Sequence, residues 1–171
     1  WEFRKGNFRL GEKSFSIKSS NSNGSEITIV EDPSSSAPEK FNIGDKLDDL
    51  SVKTLSKEIS LSSIYKNYKY TLLDFWATWC KPCIAAMPEL EQLKEEYQDV
   101  GIIGFAADKR HLIQKFEDKY PHSWTNVIVP EKLEFQFNIL GLPTYYIIDA
   151  AGEIIEEFKT VNQVRKFLSE H

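Results

Sequence analysis

Apolar and polar positions alternate in two different ways along this chain, and the change of pattern divides it. In the first forty residues Phe8-Arg9-Leu10, Ser14-Phe15-Ser16-Ile17-Lys18 and Ser25-Glu26-Ile27-Thr28-Ile29-Val30 alternate with a period of two. That pattern predicts short half-buried strands. The polar run Ser19 to Gly24 reads as the loop of a hairpin. Asp32-Pro33-Ser34-Ser35-Ser36-Ala37-Pro38 is a linker in composition, because Pro and Ser build no core. Residues 1–38 are therefore expected to form a small β extension with its linker, and residues 39–171 the main domain. Asn23-Gly24-Ser25 matches a glycosylation sequon, but a three-residue match of this kind arises readily by chance.

Beyond the linker, short apolar runs alternate with helical periodicity. Tyr70 to Ala77 carries Leu72, Leu73, Phe75 and Trp76 and predicts a buried strand. From Pro82 to about Tyr97, the residues Ile84, Met87, Leu90, Leu93 and Tyr97 recur at helical spacing. Gly101 to Ala107 is a second buried strand, and Leu112, Ile113, Phe116 and Tyr120 mark a second helix. Thr144 to Asp149 is a third strand, and Asp149-Ala150-Ala151-Gly152 is a turn. Ile154 to Phe158 pairs back as a fourth strand. Val161, Val164, Phe167 and Leu168 give a closing helix. Strand, helix, strand, helix, hairpin and helix make an α/β fold with a mixed sheet. No internal repeat is present.

Composition narrows the function classes. The chain has 171 residues, about one domain in length, and 41% of them are hydrophobic, which fits a globular fold. Its net charge is -5 and its sequence pI about 5.3. A nucleic-acid binder needs a basic face, so this balance argues against one. The longest apolar stretch, Val100 to Ala107, is far short of the roughly 20 residues that span a bilayer. No signal peptide is visible. The first residue is Trp1 rather than Met, so a fragment or a processed form is expected, and the missing leader does not argue for the cytoplasm.

The chain has two cysteines, Cys80 and Cys83. A bridge across so short a loop would constrain the unfolded chain little, so chemistry explains the pair better than stability does. A buried strand ends before Cys80, and Pro82 suits the first turn of a helix. Cys80 is then at a helix N-terminus, where unpaired backbone N–H groups favour a thiolate over a thiol. Lys81 adds a positive charge beside it. Cys80 is expected to be the exposed attacking sulfur and Cys83 the shielded one that resolves a mixed disulfide. The structural alternatives are a plain surface disulfide or half a zinc site. Only His111, His122 and His171 remain as nitrogen ligands, at spacings unlike the usual His pair. Haem attachment needs His after the second Cys, and Ile84 is there. A strand, a Cys-x-x-Cys and a helix in this order make a thioredoxin-like redox motif.

Asp74 lies six positions before Cys80 inside an otherwise apolar strand. A buried carboxylate without a partner has a raised pKa. Such an acid beneath the cysteines could take and return the proton of Cys83; the alternative is an Asp that reaches solvent or caps a loop. Trp76, Trp124 and Tyr145-Tyr146 are expected in the core. Trp79, directly before Cys80, is expected beside any docked substrate. From the residues alone Pro143 is an ordinary strand-entry proline.

Taken together, Phe41-Asn42-Ile43-Gly44-Asp45, the run Asp74-Phe75-Trp76-Ala77-Thr78-Trp79-Cys80-Lys81-Pro82-Cys83, Pro88, Gly141-Leu142-Pro143-Thr144 and Asp149 to Gly152 resemble the TlpA/ResA group of extracytoplasmic thiol–disulfide oxidoreductases, over about residues 41–170. The resemblance implies a thioredoxin-like mixed sheet flanked by helices. It implies a cis peptide before Pro143 that faces the cysteines, with backbone near Leu142 offered to an extended substrate. It assigns the buried acid to Asp74 and a helix kink to Pro88. Lys81 and Pro82, in the motif with Trp79, are expected to meet the substrate as well. Pro82 is similar to the reducing members, whereas strongly oxidising ones often carry His there; Lys81 acts partly in the oxidising direction, so an intermediate but reducing protein is expected. Expected partners are a disulfide-containing protein and an upstream envelope reductant, in an extracytoplasmic location. No separate cofactor is expected, since the cysteine pair carries the electrons. Three positions depart from the group: Ala86 where some members have Glu, Gly104 where thioredoxin has Lys near the buried acid, and Thr160 where a groove glycine is expected. Oxidation or isomerisation of disulfides, and a partner-binding module built on the same fold, are the alternative functions.

Overall fold

The computed structural model describes residues 7–10, 13–20, 27–31, 40–47 and 49–171. The chain divides into two compact units, Trp1–Glu39 and Lys40–His171. The first contains an antiparallel three-stranded sheet of β1 (Asn7–Leu10), β2 (Lys13–Ser20) and β3 (Ile27–Glu31) in that order. Strand β2 extends through Ser19 and Ser20, which the sequence reading had placed in the hairpin loop. The expected linker at 32–38 and the sequon at 23–25 lie outside the described residues.

The second unit is an α/β layer structure. Its elements are β4 (Ser51–Thr54), β5 (Glu58–Ser60), α1 (Ser62–Tyr65), β6 (Tyr70–Trp76), α2 (Lys81–Glu96), β7 (Val100–Ala106), α3 (Arg110–Lys119), β8 (Thr125–Ile128), α4 (Glu131–Gln136), β9 (Thr144–Asp149), β10 (Ile154–Phe158) and α5 (Val161–Glu170). Seven strands form one sheet in the order β10-β9-β6-β7-β8-β4-β5. β6, β7 and β8 run parallel, while β9 pairs antiparallel with both β6 and β10. The central strands are apolar throughout because both faces of the sheet are covered. Leu72, Trp76, Ile102 and Tyr145 pack under α2, α3 and α5 on one face. Leu73, Phe75, Phe105 and Tyr146 pack under Tyr65 of α1 and Leu133 of α4 on the other.

This alternation decides where the acid of β6 goes. Asp74 lies between Leu72 and Trp76 in the period-two pattern, so it faces the α2 side. Its register partners are Gly104 on β7 and Tyr145 on β9. Gly104 is thus beside Asp74 in space, and no side chain fits there. A Cβ on Gly104 would overlap Oδ1 of Asn126 and lie 2.9 Å from Nε1 of Trp76. Asn126 cannot swing aside. Its Oδ1 accepts the Trp76 indole N–H at 3.0 Å, and its Nδ2 lies 2.7 Å from Glu117 Oε1 and in contact with His122 Nε2. Gly104→Ala should therefore destabilise the protein by about 2 kcal/mol, as overpacking of a held core does. Urea unfolding checks this; a midpoint equal to wild type would show that the Asn126 amide is free to move.

Candidate active site

Strand β6 delivers the chain to a tight turn before α2. The Ala107 N–H bonds the Trp76 carbonyl at 2.9 Å, the Thr78 N–H bonds Asp108 Oδ2 at 2.6 Å, and the Cys80 N–H bonds the Ala77 carbonyl at 3.0 Å. These bonds place Cys80 as the N-cap of α2, with extended backbone. Lys81 and Pro82 are the first two helical residues and both are exposed. Pro82 sacrifices no intrahelical bond there. The Cys83 N–H donates to Cys80 Sγ at 3.2 Å, so the sulfur occupies the place of a capping oxygen. Cys80 and Cys83 are joined in a disulfide, with their Cα atoms 5.3 Å apart.

Cys80 is not the exposed sulfur that its position suggested. In this oxidised form it is 4% exposed and Cys83 2%. Cys80 belongs to the cluster that holds Trp76, Ala77 and Tyr145. The two residues therefore differ in position on the helix, cap against first turn, more than in exposure.

Asp74 is 2% exposed, and its Oδ1 has no hydrogen-bond partner. The alternative of an Asp reaching solvent is thereby excluded. Burial pushes its carboxyl up from 3.8 to about 7. The phenol of Tyr145, directly across the ladder, is pushed up by its own burial first and then by the nearby charges of Asp74 and Glu89, so it stays protonated. Ala86 brings no carboxyl to α2 at the position where some TlpA/ResA members have one, which leaves Asp74 as the buried acid of this face.

The peptide Leu142–Pro143 is cis, as the resemblance implied and the residues alone did not. Leu142 packs against the cluster that contains both cysteines. Trp79 is 67% exposed on the cysteine turn, while Trp76, Trp124, Tyr145 and Tyr146 are buried. Thr160 is the N-cap of α5 in a capping box with Gln163. Pro88 lies inside α2, where it leaves the Ile84 carbonyl without its usual N–H partner. Two residues were missed. Asp108 holds the turn through Thr78, and its only signal was a carboxylate just past an apolar strand. Leu140, 87% exposed, precedes the cis-proline segment. Among the described residues no group of three or more His, Cys, Asp or Glu could hold a metal ion.

A sulfur that caps a helix, joined to a second sulfur one turn away, can pass two electrons between disulfides. That is the chemistry of a thiol–disulfide oxidoreductase of thioredoxin-like fold. The chain belongs to the AhpC/TSA family, whose model matches residues 43–167. It is 38% identical over 116 residues to the thioredoxin-like protein YneN of Bacillus subtilis, covering 65% of this chain and 68% of that one. It is 32% identical over 146 residues to the thiol-disulfide oxidoreductase ResA of Bacillus cereus, covering 78% and 80%. Among solved structures, a thiol-disulfide oxidoreductase from Bacteroides fragilis superposes with a TM-score of 0.64 at 26% identity, over 74% of this chain and 98% of that one. A putative thiol:disulfide interchange protein DsbE from Chlorobium tepidum shares the fold with a TM-score of 0.66 at 24% identity, over 77% and 95%.

The state of Asp74 has a consequence for stability. Its folded pKa exceeds its unfolded one, so the unfolded chain releases the proton first as pH rises. The contribution of Asp74 to stability is most favourable below about pH 4, falls as pH rises to about 7 and is level above that. A carboxyl moved from 3.8 to about 7 costs the fold on the order of 4 kcal/mol at alkaline pH. Oxidised Asp74→Asn should therefore be more stable than wild type at pH 8 and lose most of this slope. Urea unfolding between pH 4 and pH 8 measures it; parallel profiles for the two proteins would show that Asp74 titrates normally.

Proposed function

We propose that the reduced protein cleaves disulfides in protein substrates. The Cys80 thiolate attacks one substrate sulfur; a Cys80–substrate disulfide forms and the other substrate sulfur leaves as a thiolate. Cys83 gives its proton to the ionised carboxylate of Asp74 and attacks Cys80 Sγ. The mixed disulfide breaks, the second substrate thiolate leaves and takes up a proton, and the Cys80–Cys83 disulfide remains. Two electrons pass from the dithiol to the substrate. An upstream dithiol protein returns the pair to the reduced state. The observation that carries this reading is the Cys83 N–H bond to the Cys80 sulfur at the head of α2, because it favours negative charge on that sulfur and on no other.

A carboxyl at about 7 supports the role of Asp74, since it is partly ionised at neutral pH and exchanges a proton with little driving force either way. Pro82 in the motif supports the reducing direction. Trp79 and Lys81 beside the pair, with Leu142 and Pro143, form the surface against which substrate docks. The TlpA/ResA resemblance supports an extracytoplasmic place of work. No helix among the described residues is long and apolar enough to cross a membrane.

Reduction of insulin disulfides by the dithiol-loaded protein tests this. Cys80→Ser should abolish turnover, and Cys83→Ser should accumulate a substrate disulfide on Cys80. Turnover by Cys80→Ser, or net oxidation of reduced insulin under the same conditions, would overturn it. Asp74→Asn should slow the resolving step by about 100-fold or more near pH 7, the scale of lost proton transfer. It should also flatten the pH dependence of that step. Superimposable single-turnover profiles would make Asp74 structural.

A further inference from the structure

The cis-proline segment is held from the face of the sheet opposite the cysteines. Thr144 follows Pro143 and pairs in register with Phe75, so its side chain lies on the Phe75 side while Tyr145 faces α2. The Thr144 hydroxyl donates to the Gly141 carbonyl at 2.8 Å and accepts from Lys159 Nζ at 3.0 Å. Thr144 is fully buried. Lys159 follows β10 and is also paired with the Glu157 carboxylate. The other Glu157 oxygen lies 2.9 Å from the Tyr146 hydroxyl, which is 2.7 Å from the Phe137 carbonyl. One polar strip thus ties the carbonyls of Phe137 and Gly141 to the β9–β10 hairpin. Those carbonyls bracket the chain that approaches Leu142 and Pro143.

Exposure weakens the Lys159–Glu157 pair itself, since its side chains are 55% and 36% exposed. The bond to Thr144 is different. Without Lys159 the buried hydroxyl loses its donor, and a buried acceptor left without a partner carries the desolvation cost. The Gly141–Thr144 turn is then the part free to relax.

We propose that Lys159 is a positioning residue: acting through Thr144, it fixes the backbone around Leu142 and Pro143 on which a disulfide-bearing polypeptide docks. The proposal rests on the docking role given to that segment above. It separates two substrate classes. A polypeptide disulfide uses the backbone of the segment, whereas a small aromatic disulfide needs only the Cys80 sulfur.

Steady-state exchange, measured with insulin and with a small aromatic disulfide, reads the difference. In Lys159→Met the KM for insulin should rise about 3–10-fold with kcat within twofold, while exchange with the small disulfide stays within twofold of wild type. Thr144→Val should shift the same ratio, and Lys159→Arg, which keeps a donor, should restore most of it. The ratio is read in both directions of electron flow. A protein that runs as an oxidase would sink the reductase reading and leave this test intact. An unchanged insulin KM in Lys159→Met, an equal loss with both disulfides, or an arginine variant as impaired as the methionine one would overturn the role of Lys159.

Discussion

A single backbone N–H aimed at a single sulfur organises this protein. Cys80 caps α2, and the Cys83 amide reaches its Sγ at 3.2 Å. A helix N-terminus favours negative charge on whatever atom caps it, and here that atom is a sulfur. The rest of the unit serves that placement. Parallel β6 and β7 aim the turn, Asp108 and the Ala107 N–H hold it from the neighbouring strand end, and Pro82 starts the helix without a wasted donor.

The second constraint is the burial of Asp74. A central strand covered on both faces has no place for a solvated carboxylate, so the side chain keeps its proton until near neutrality. Nothing in the ladder relieves it. The register neighbour on β7 is Gly104, whose side-chain space is taken by the Asn126 amide, and the neighbour on β9 is a phenol that is itself held neutral. The unit thus bears a destabilising group on the sheet face that also packs against the cysteines.

Much of this was legible in the residues. β6, α2, β7, α3, β9, β10 and α5 show strong apolar periodicity, and each was expected within a residue or two of its observed place. The edge elements were not. β4 offers one buried apolar residue, Val52, and β8 is interrupted by Asn126, whose role is a side-chain network rather than a hydrophobic face. α1 and α4 are too short to show a helical period. At the site, the cap position of Cys80 and the burial of Asp74 followed from local pattern. The cis peptide at Pro143 did not, because an X–Pro bond carries no local mark of its isomer and only the resemblance pointed to it. The burial of Cys80 was missed because a helix-end argument does not contain the side chains that pack around the cap.

The central claim is that the sulfur at the head of α2 is an anion when reduced. The direct measurement is the rate of iodoacetamide alkylation of Cys80 in the reduced protein as a function of pH, with Cys83 replaced by Ser. The account predicts a half-rate point well below the roughly 8.5 of free cysteine, in the range of about 3.5–7.5 found at helix N-termini. A profile that overlays free cysteine would contradict it.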